Sequence, residues 1–178
     1  GCEIDDSHLQ PLTGLPRLRA IRLAGTGVTD EGLKTLGEVE SLEDIDLRDC
    51  AIGDPGLAHL APLGRLKALR LSGKSGACQV SDDGMVHDGK LSTLKVLALD
   101  YLWISEEGLR SLQGLSNLQE LYMAGTNIGN EAIGMLEAYP NLRKLRVAAN
   151  QIDGAGLALL PKLQQLEELD LSECSQIF

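Results

Sequence analysis

One leucine-spaced run recurs seven times along this chain and limits how it can fold. The copies begin at Leu18, Leu42, Leu66, Leu94, Leu118, Leu142 and Leu166. Their successive spacings are 24, 24, 28, 24, 24 and 24 residues, and the shared unit reads LxxLxLxx[T/C/N]x[I/V]x[D/E]xGLxxLxxLxx. Because one such unit cannot bury its own apolar face, the pattern predicts an array of stacked units.

Each unit carries the signals of one strand, one turn and one helix. The LxL alternation has a period of two, which predicts a short strand with one buried face. A small polar residue at the ninth position is expected to bond to backbone amide groups of the neighbouring turn. A polar N-cap candidate, acidic residues and a GLxxLxxL run then predict a capped amphipathic helix.

The predicted strands lie near 19–23, 43–47, 67–71, 95–99, 119–123, 143–147 and 167–171. The ninth-position residues include Thr26, Cys50, Thr126, Asn150 and Cys174, and the N-cap candidates are Thr29, Ser81, Ser105 and Asp153. Neighbouring strands need ~4.8 Å of spacing and neighbouring helices ~8–10 Å, so a stack of such units must bend towards its strands. The sequence therefore predicts an α/β right-handed solenoid with a parallel inner β-sheet and helices on the convex side.

The chain resembles leucine-rich-repeat proteins over essentially its whole length. The segment "TGVTDEGL" is similar to 24-residue bacterial arrays of such repeats. It also resembles the longer, cysteine-containing repeats of F-box ubiquitin-ligase adaptors. The resemblance implies a curved horseshoe that binds a protein or peptide partner with its concave strand residues.

We expect a single leucine-rich-repeat domain over 1–178, with a partial repeat at 1–17 before the repeats that start at Leu18. Cys2 aligns with Cys50, which favours a repeat residue over the alternative of a lipid-modified cysteine. Neither end shows a polar cap, which a finished solenoid should have. This indicates a fragment of a longer protein and predicts end-to-end self-association.

Composition and motifs disfavour several functions. The net charge of −10 disfavours nucleic acid and anionic membrane surfaces, and no apolar run approaches the ~20 residues that membrane insertion needs. The four cysteines show no CxxC spacing, so no metal site is expected. They are expected to be free, with a Cys50–Cys78 bond as the alternative, and free thiols favour a cytoplasmic location.

Two acidic groups look like sites but have simpler explanations. Asp82 and Asp83 occupy the acidic slot at a helix start, so a solvated helix terminus is expected rather than an acid/base pair. The second group consists of Asp44, Asp46 and Asp49. Because Arg22, Arg48 and Arg70 lie on the same or adjacent strands, ion pairs are expected there rather than a cation site. No catalytic constellation and no cofactor motif is found, so the chain is not expected to be an enzyme.

Several departures from the repeat converge near the middle of the array. The third repeat is four residues too long, in "LSGKSGACQV", and Asp88 replaces a helix leucine, which predicts an irregular convex segment. The fourth repeat has Leu102 at the small polar position, beside Tyr101 and the single tryptophan, Trp103. Local rules broken together suggest a functional site.

The predicted partner-binding residues form an apolar, aromatic window with charged flanks. They are Val96, Ala98, Tyr101, Trp103, Tyr122 and Arg146. In the alternative interpretation, Leu102 and Trp103 only pack beneath the enlarged loop. The leading functional hypothesis is a non-enzymatic scaffold that binds a partner on its concave face. The alternatives are a substrate-recognition arm of a ubiquitin-ligase adaptor or bacterial effector, and a structural spacer array.

Overall fold

A computed structural model of the chain describes residues 3–174. Its seven strands form one parallel sheet in which the spatial order follows the chain order. The strands are β1 (Ala20–Arg22), β2 (Asp44–Asp46), β3 (Ala68–Ser72), β4 (Val96–Asp100), β5 (Glu120–Tyr122), β6 (Lys144–Arg146) and β7 (Glu168–Asp170). Each lies within or beside the range predicted for it, and the α/β solenoid with a parallel sheet is confirmed.

A helical segment follows each of the first six strands. The α-helices are α1 (Asp30–Gly37), α2 (Asp54–Leu57), α3 (Asp82–Asp88), α4 (Glu106–Ser111), α5 (Asn130–Met135) and α6 (Gly154–Leu157). Short 3-10 turns lie at Asp6–His8, Gln10–Gly14, Ala58–Leu60, Leu136–Ala138 and Leu160–Lys162. The four candidate N-caps are confirmed, because each side chain accepts a backbone N–H from its own first turn.

Equivalent positions of successive repeats pair across the sheet, as Ile21 with Ile45 and Ile45 with Leu69. The third and fourth repeats extend this ladder, since β3 and β4 also pair Leu71 with Leu99 and Ser72 with Asp100. The four additional residues of the third repeat therefore follow a lengthened strand pair, and the register on either side is preserved.

The leucine ladder forms one continuous core from Leu9 to Cys174. Inward strand residues such as Ile45 and Leu47 are fully buried, as are helix residues such as Leu33 and Leu57. Each such side chain contributes roughly 1.5–3 kcal/mol when it is removed from water. Stacking of repeats supplies this burial, as the repeat length predicts.

The ninth-position side chains do bond to the backbone, but to strand carbonyls rather than to turn amide groups. Thr26 Oγ1 and Cys50 Sγ both donate to the Leu23 carbonyl oxygen, at 2.7 and 3.0 Å. The Asn150 amide donates to the carbonyl of Met123 in the preceding repeat and to that of Val147 in its own repeat. The carbonyls at the end of each strand would otherwise be buried without partners.

Acidic residues at helix starts join each repeat to the next. Asp54 accepts the backbone N–H and the hydroxyl of Ser81, both at 2.7 Å. Asp82 does the same for Ser105, at 2.8 and 2.5 Å. The expectation of a solvated helix terminus is therefore wrong for Asp82, whose oxygens are used between repeats, whereas Asp83 is exposed.

The third repeat has a regular helix, contrary to the sequence expectation. The helix α3 continues to Asp88, whose side chain is completely buried. The carboxyl group has entered the core at the leucine position because the helix is held there by its neighbours on both sides.

Candidate partner-binding surface

The first half of the sheet face carries the ion pairs that the sequence predicts. Arg70 contacts Asp44 at 2.6 Å, and Arg22 lies 3.7 Å from the other oxygen of Asp44. Arg48 holds Asp46 through two side-chain bonds of 2.9 and 2.7 Å. Burial raises the pKa of Asp46, but the hydrogen bonds from Arg48 outweigh that effect and lower its pKa overall. Within residues 3–174, no group of three or more His, Cys, Asp or Glu residues could hold a metal ion.

The second half of the sheet face is organised around Arg146. Its guanidinium bridges Asp100 at 3.2 Å and Asp170 at 3.1 Å. Asp100 also accepts the Ala124 backbone N–H at 2.7 Å, and burial raises the pKa of Asp100. Arg146 is thus fixed in place while part of its side chain still meets solvent.

Three of the predicted site residues form one row across neighbouring strands. Ala98 pairs with Tyr122, and Tyr122 pairs with Arg146. The Tyr122 hydroxyl donates to Glu120 at 2.8 Å, and burial raises the pKa of Tyr122 to about 12. The row therefore presents a fixed phenol beside a fixed guanidinium.

The predicted apolar floor of this row offers little free surface. Ala98 is only 7% exposed, whereas Val96 is partly exposed. The residue pattern along one strand does not reveal this burial. The accessible part of the row consists mainly of Tyr122 and Arg146.

Tyr101 lies at the end of β4 with a left-handed backbone, at φ 60°. The same repeat position is left-handed elsewhere, so the turn itself requires this conformation; the other residues are Gly25, Asp49, Gly125, Ala149 and Glu173. The Tyr101 ring lies against Gly125, where a Cβ atom would come within 2.5 Å of ring carbon Cδ1. The ammonium of Lys74 lies 5.5 Å from the ring centroid, within cation–π distance.

Trp103 is 70% exposed and lies beyond the end of β4, in the turn that leads to α4. It forms an isolated parallel bridge with Ser81, away from the Ala98–Tyr122–Arg146 row. Its counterparts in neighbouring repeats, Gln79 and Asn127, are also exposed. Leu102 is buried as the alternative interpretation requires, but Trp103 is not.

Trp103 and Tyr101 line a groove of about 680 Å³, which we call the edge groove. Its lining consists of Gly73, Gly76, Cys78, Gln79, Tyr101, Leu102, Trp103, Gly125 and Asn127. The inserted residues of the third repeat supply one wall. The six predicted residues therefore occupy two places, the sheet-face row and the edge groove, with Tyr101 at the end of the central strand.

Three further residues at this surface are not among those predicted from the sequence. Gln79 and Asn127 line the edge groove, and Lys74 lies against the ring of Tyr101. The signal for Gln79 and Asn127 was available, because they occupy the same repeat position as Trp103. Lys74 has no counterpart in the other repeats, since it lies in the insertion.

The three described cysteines, Cys50, Cys78 and Cys174, are free and buried. Cys2 lies outside the described residues. Burial raises the pKa of Cys78 to about 11. These thiols lie in the core, where Cys50 and Cys174 also donate to strand carbonyls.

Comparisons with known proteins agree with this architecture. A family model described as leucine-rich repeat matches residues 15–37, 40–61 and 140–160. A search of curated proteins finds no match. No helix in the described part of the chain has the length and apolarity needed to cross a membrane.

Solved structures with similar folds include internalin F (inlF) of Listeria monocytogenes str. 4b F2365, with a TM-score of 0.71 and 21% identity. That match covers 92% of this chain, which spans only 50% of the internalin F chain. Internalin C2 (inlC2) of the same strain has a TM-score of 0.70 and 22% identity, covering 90% of this chain and 74% of its own.

The plant peptide hormone receptor RGFR1, in complex with RGF2, has a TM-score of 0.59 and 20% identity, over 99% of this chain and 29% of the receptor. All three similarities concern the fold. The family model matches three of the repeats, and the similar structures share the solenoid fold of this chain.

Proposed function

We propose that this protein is a non-enzymatic scaffold that binds a protein or peptide partner. The binding surface joins the sheet-face row of Ala98, Tyr122 and Arg146 to the edge groove at Tyr101 and Trp103, with Val96 beside it. The observation that carries the proposal is the exposure of the single tryptophan, 70%, at the mouth of a groove.

An exposed tryptophan at this position is not needed by the repeat. The equivalent residues Ala51, Gln79, Asn127 and Gln151 are small or polar, and all are exposed. Tryptophan, tyrosine and arginine are the residues that most often dominate binding energy at protein interfaces. Their grouping in the middle of the array therefore supports a binding role.

The fixed ring of Tyr101 supports the same conclusion. The left-handed conformation is common to this turn, so the specific feature of the fourth repeat is the aromatic side chain that the turn carries. The tyrosine ring is held between Gly125 and Lys74, which fixes its position before any partner arrives. A preorganised ring loses little entropy on binding.

The structural relatives support a peptide or protein partner in general terms. The plant peptide hormone receptor RGFR1, whose fold is similar to that of this chain, was solved in complex with RGF2. A pure spacer array would have no use for an exposed tryptophan beside a groove. The ubiquitin-ligase alternative rests on resemblance alone, and no feature of the described residues favours it.

A peptide library displayed on phage tests this proposal directly. Peptides selected on the wild-type protein should bind Trp103→Ala or Tyr122→Ala about 30-fold more weakly, which corresponds to ~2 kcal/mol. Gln151→Ala changes an exposed residue at the repeat position of Trp103, so it is the matched control and should bind as the wild type does. Both site variants should unfold within about 0.5 kcal/mol of the wild type in urea.

Either of two results would overturn the proposal. One is that no peptide from the library is enriched above the background measured with immobilised, heat-denatured protein. The other is a set of selected peptides that binds the Trp103→Ala and Tyr122→Ala variants with unchanged affinity.

A further inference from the structure

Asp88 occupies a core position that belongs to leucine in the other repeats. The equivalent residues Leu36, Leu60, Leu112 and Leu136 are buried, and Leu160 in the sixth repeat is partly buried. Asp88 is also completely buried, and neither of its carboxyl oxygens has a hydrogen-bond partner among residues 3–174. A buried carboxylate without a partner is among the costliest groups that a folded protein can contain.

The surroundings of Asp88 provide no compensating charge. The elements packed against α3 are α2, the 3-10 turn at Ala58–Leu60 and α4. Their ionisable side chains, together with those of α3 itself, are Asp54, His59, Asp82, Asp83, His87, Glu106, Glu107 and Arg110. None of them forms a hydrogen bond or ion pair with Asp88, and the charge of Asp54 acts against its ionisation.

Asp54 also connects the second repeat to the third, through its two bonds to Ser81. An ionised Asp88 would therefore place a second negative charge near the group that holds α3 against the preceding repeat. Asp88 is moreover the last residue of α3, where the partial negative charge of the helix terminus disfavours an anion. Loss of the proton from Asp88 should weaken the packing of this one repeat.

We propose that Asp88 makes the third repeat a proton-controlled joint in the solenoid. With its carboxyl group protonated, α3 stays packed between α2 and α4. Ionisation drives α3 to open locally so that the carboxylate can reach water. The inserted loop in the same repeat forms one wall of the edge groove, so opening of this joint would disturb that wall.

The direction of the pH effect follows from the two states of the carboxyl group. Burial, with a smaller contribution from Asp54, raises the pKa of Asp88 from 3.8 to about 7 in the folded state. The folded protein therefore binds this proton more tightly than the open state does. The contribution of this proton to the stability of the closed joint is complete below the ordinary carboxyl pKa. That contribution is lost as the pH rises towards about 7.

Native-state hydrogen exchange, read by mass spectrometry at pH 4.5 and pH 8, tests the proposal. After correction for intrinsic exchange rates, the opening constant of the amides in 82–94 should rise roughly 10- to 1000-fold with pH, since each pKa unit is tenfold. Asp88→Leu restores the repeat residue and should abolish this rise. Asp88→Asn removes the charge but keeps the shape, and should abolish the rise as well.

The matched control is Asp83→Asn, which removes an exposed carboxylate from the same helix and should keep the full pH effect. Equal opening constants for the wild type at the two pH values would overturn the proposal. So would a rise of the same size in Asp88→Leu or Asp88→Asn, because the proton would then bind elsewhere.

Discussion

At the scale of single residues, the recurring acid and glycine of each repeat form a matched pair. In five of the repeats, the glycine before the first buried apolar residue of the helix faces an acidic or amide side chain from the preceding repeat. At Gly84, for example, a Cβ atom would come within 2.5 Å of the Asp54 Oδ1 oxygen. The fifth repeat has Ala132 at the glycine position. The facing side chain from the preceding repeat is the longer Glu106, which accepts the backbone N–H of Gly129. The short acid therefore requires a glycine opposite it.

Gly84→Ala should destabilise the protein by ~1–3 kcal/mol because the new methyl group collides with Asp54 and overpacks the joint. Helix propensity alone predicts the opposite sign, since alanine is favoured over glycine by about 1 kcal/mol. Urea unfolding followed by circular dichroism measures the difference. Gly154→Ala is the control, because its Cβ would meet open space, and it should be neutral or slightly stabilising. A Gly84→Ala variant as stable as the wild type would refute this pairing.

The reactivity of Cys78 belongs to the same scale. Because burial raises its pKa to about 11, almost no reactive thiolate is present at pH 8. We expect Ellman's reagent to leave Cys78 unmodified in the native protein, as read from the mass of its peptide. In denaturant without reductant, all four thiols should titrate. Fewer than four would mean a disulfide, which the free Cys50 and Cys78 do not form in the structure.

At the scale of elements, the inserted loop distinguishes the third repeat from the other repeats. It follows the lengthened pair of β3 and β4, and its Gly73 N–H donates to the Asp100 carbonyl at 3.0 Å. The loop also carries Lys74 to the ring of Tyr101. These contacts connect the insertion to the fourth repeat, which contains Tyr101 and Trp103.

Deletion of residues 73–76 should preserve the fold and remove one wall of the edge groove. It restores 24-residue spacing and places Ala77 at the left-handed position, which Ala149 occupies in another repeat. Because loop length has a small entropic effect, the free energy of unfolding should change by less than about 1 kcal/mol. Peptides whose binding requires Trp103 should bind the deletion variant at least about tenfold more weakly than the wild type. Titration followed by tryptophan fluorescence measures both affinities. Unchanged affinity would mean that this wall does not contribute to binding.

At the scale of the whole molecule, the described part of the sheet has two edge strands, β1 and β7. Within residues 3–174, β1 pairs only with β2, and β7 pairs only with β6. Leu15 and Leu169 are exposed near these two ends. Unpaired strand edges and exposed leucines favour stacking of one copy on another.

The 178-residue chain should therefore associate end to end as its concentration rises, which sedimentation equilibrium can measure. Leu169→Lys should weaken this association, because it places a charge on an apolar end. Val86→Lys is the control, since Val86 is an exposed apolar residue on α3, away from both ends. A protein that remains monomeric at every concentration would contradict the prediction.

Much of the architecture follows from the sequence because each inner repeat stacks on near copies of itself. Once the period is known, Ile45 must pair with Ile21 and Leu69, and Ser81 and Ser105 must begin helices at equivalent places. The row of Ala98, Tyr122 and Arg146 follows for the same reason, since equal positions lie side by side on parallel strands. Periodicity thus determines the strands, the caps and the order of the side chains across the sheet.

The tertiary structure decides what happens where one repeat differs from the next. Whether Ala98 is covered, whether Trp103 points into solvent and whether Asp82 bonds to Ser105 all depend on side chains that other repeats place against them. Asp88 is the clearest case, because its sequence position suggests a broken helix. The packing of α2 and α4 against α3 instead keeps that helix intact and buries the carboxyl group. Burial and hydrogen bonding are properties of contacts between repeats, and a pattern within one repeat does not contain them.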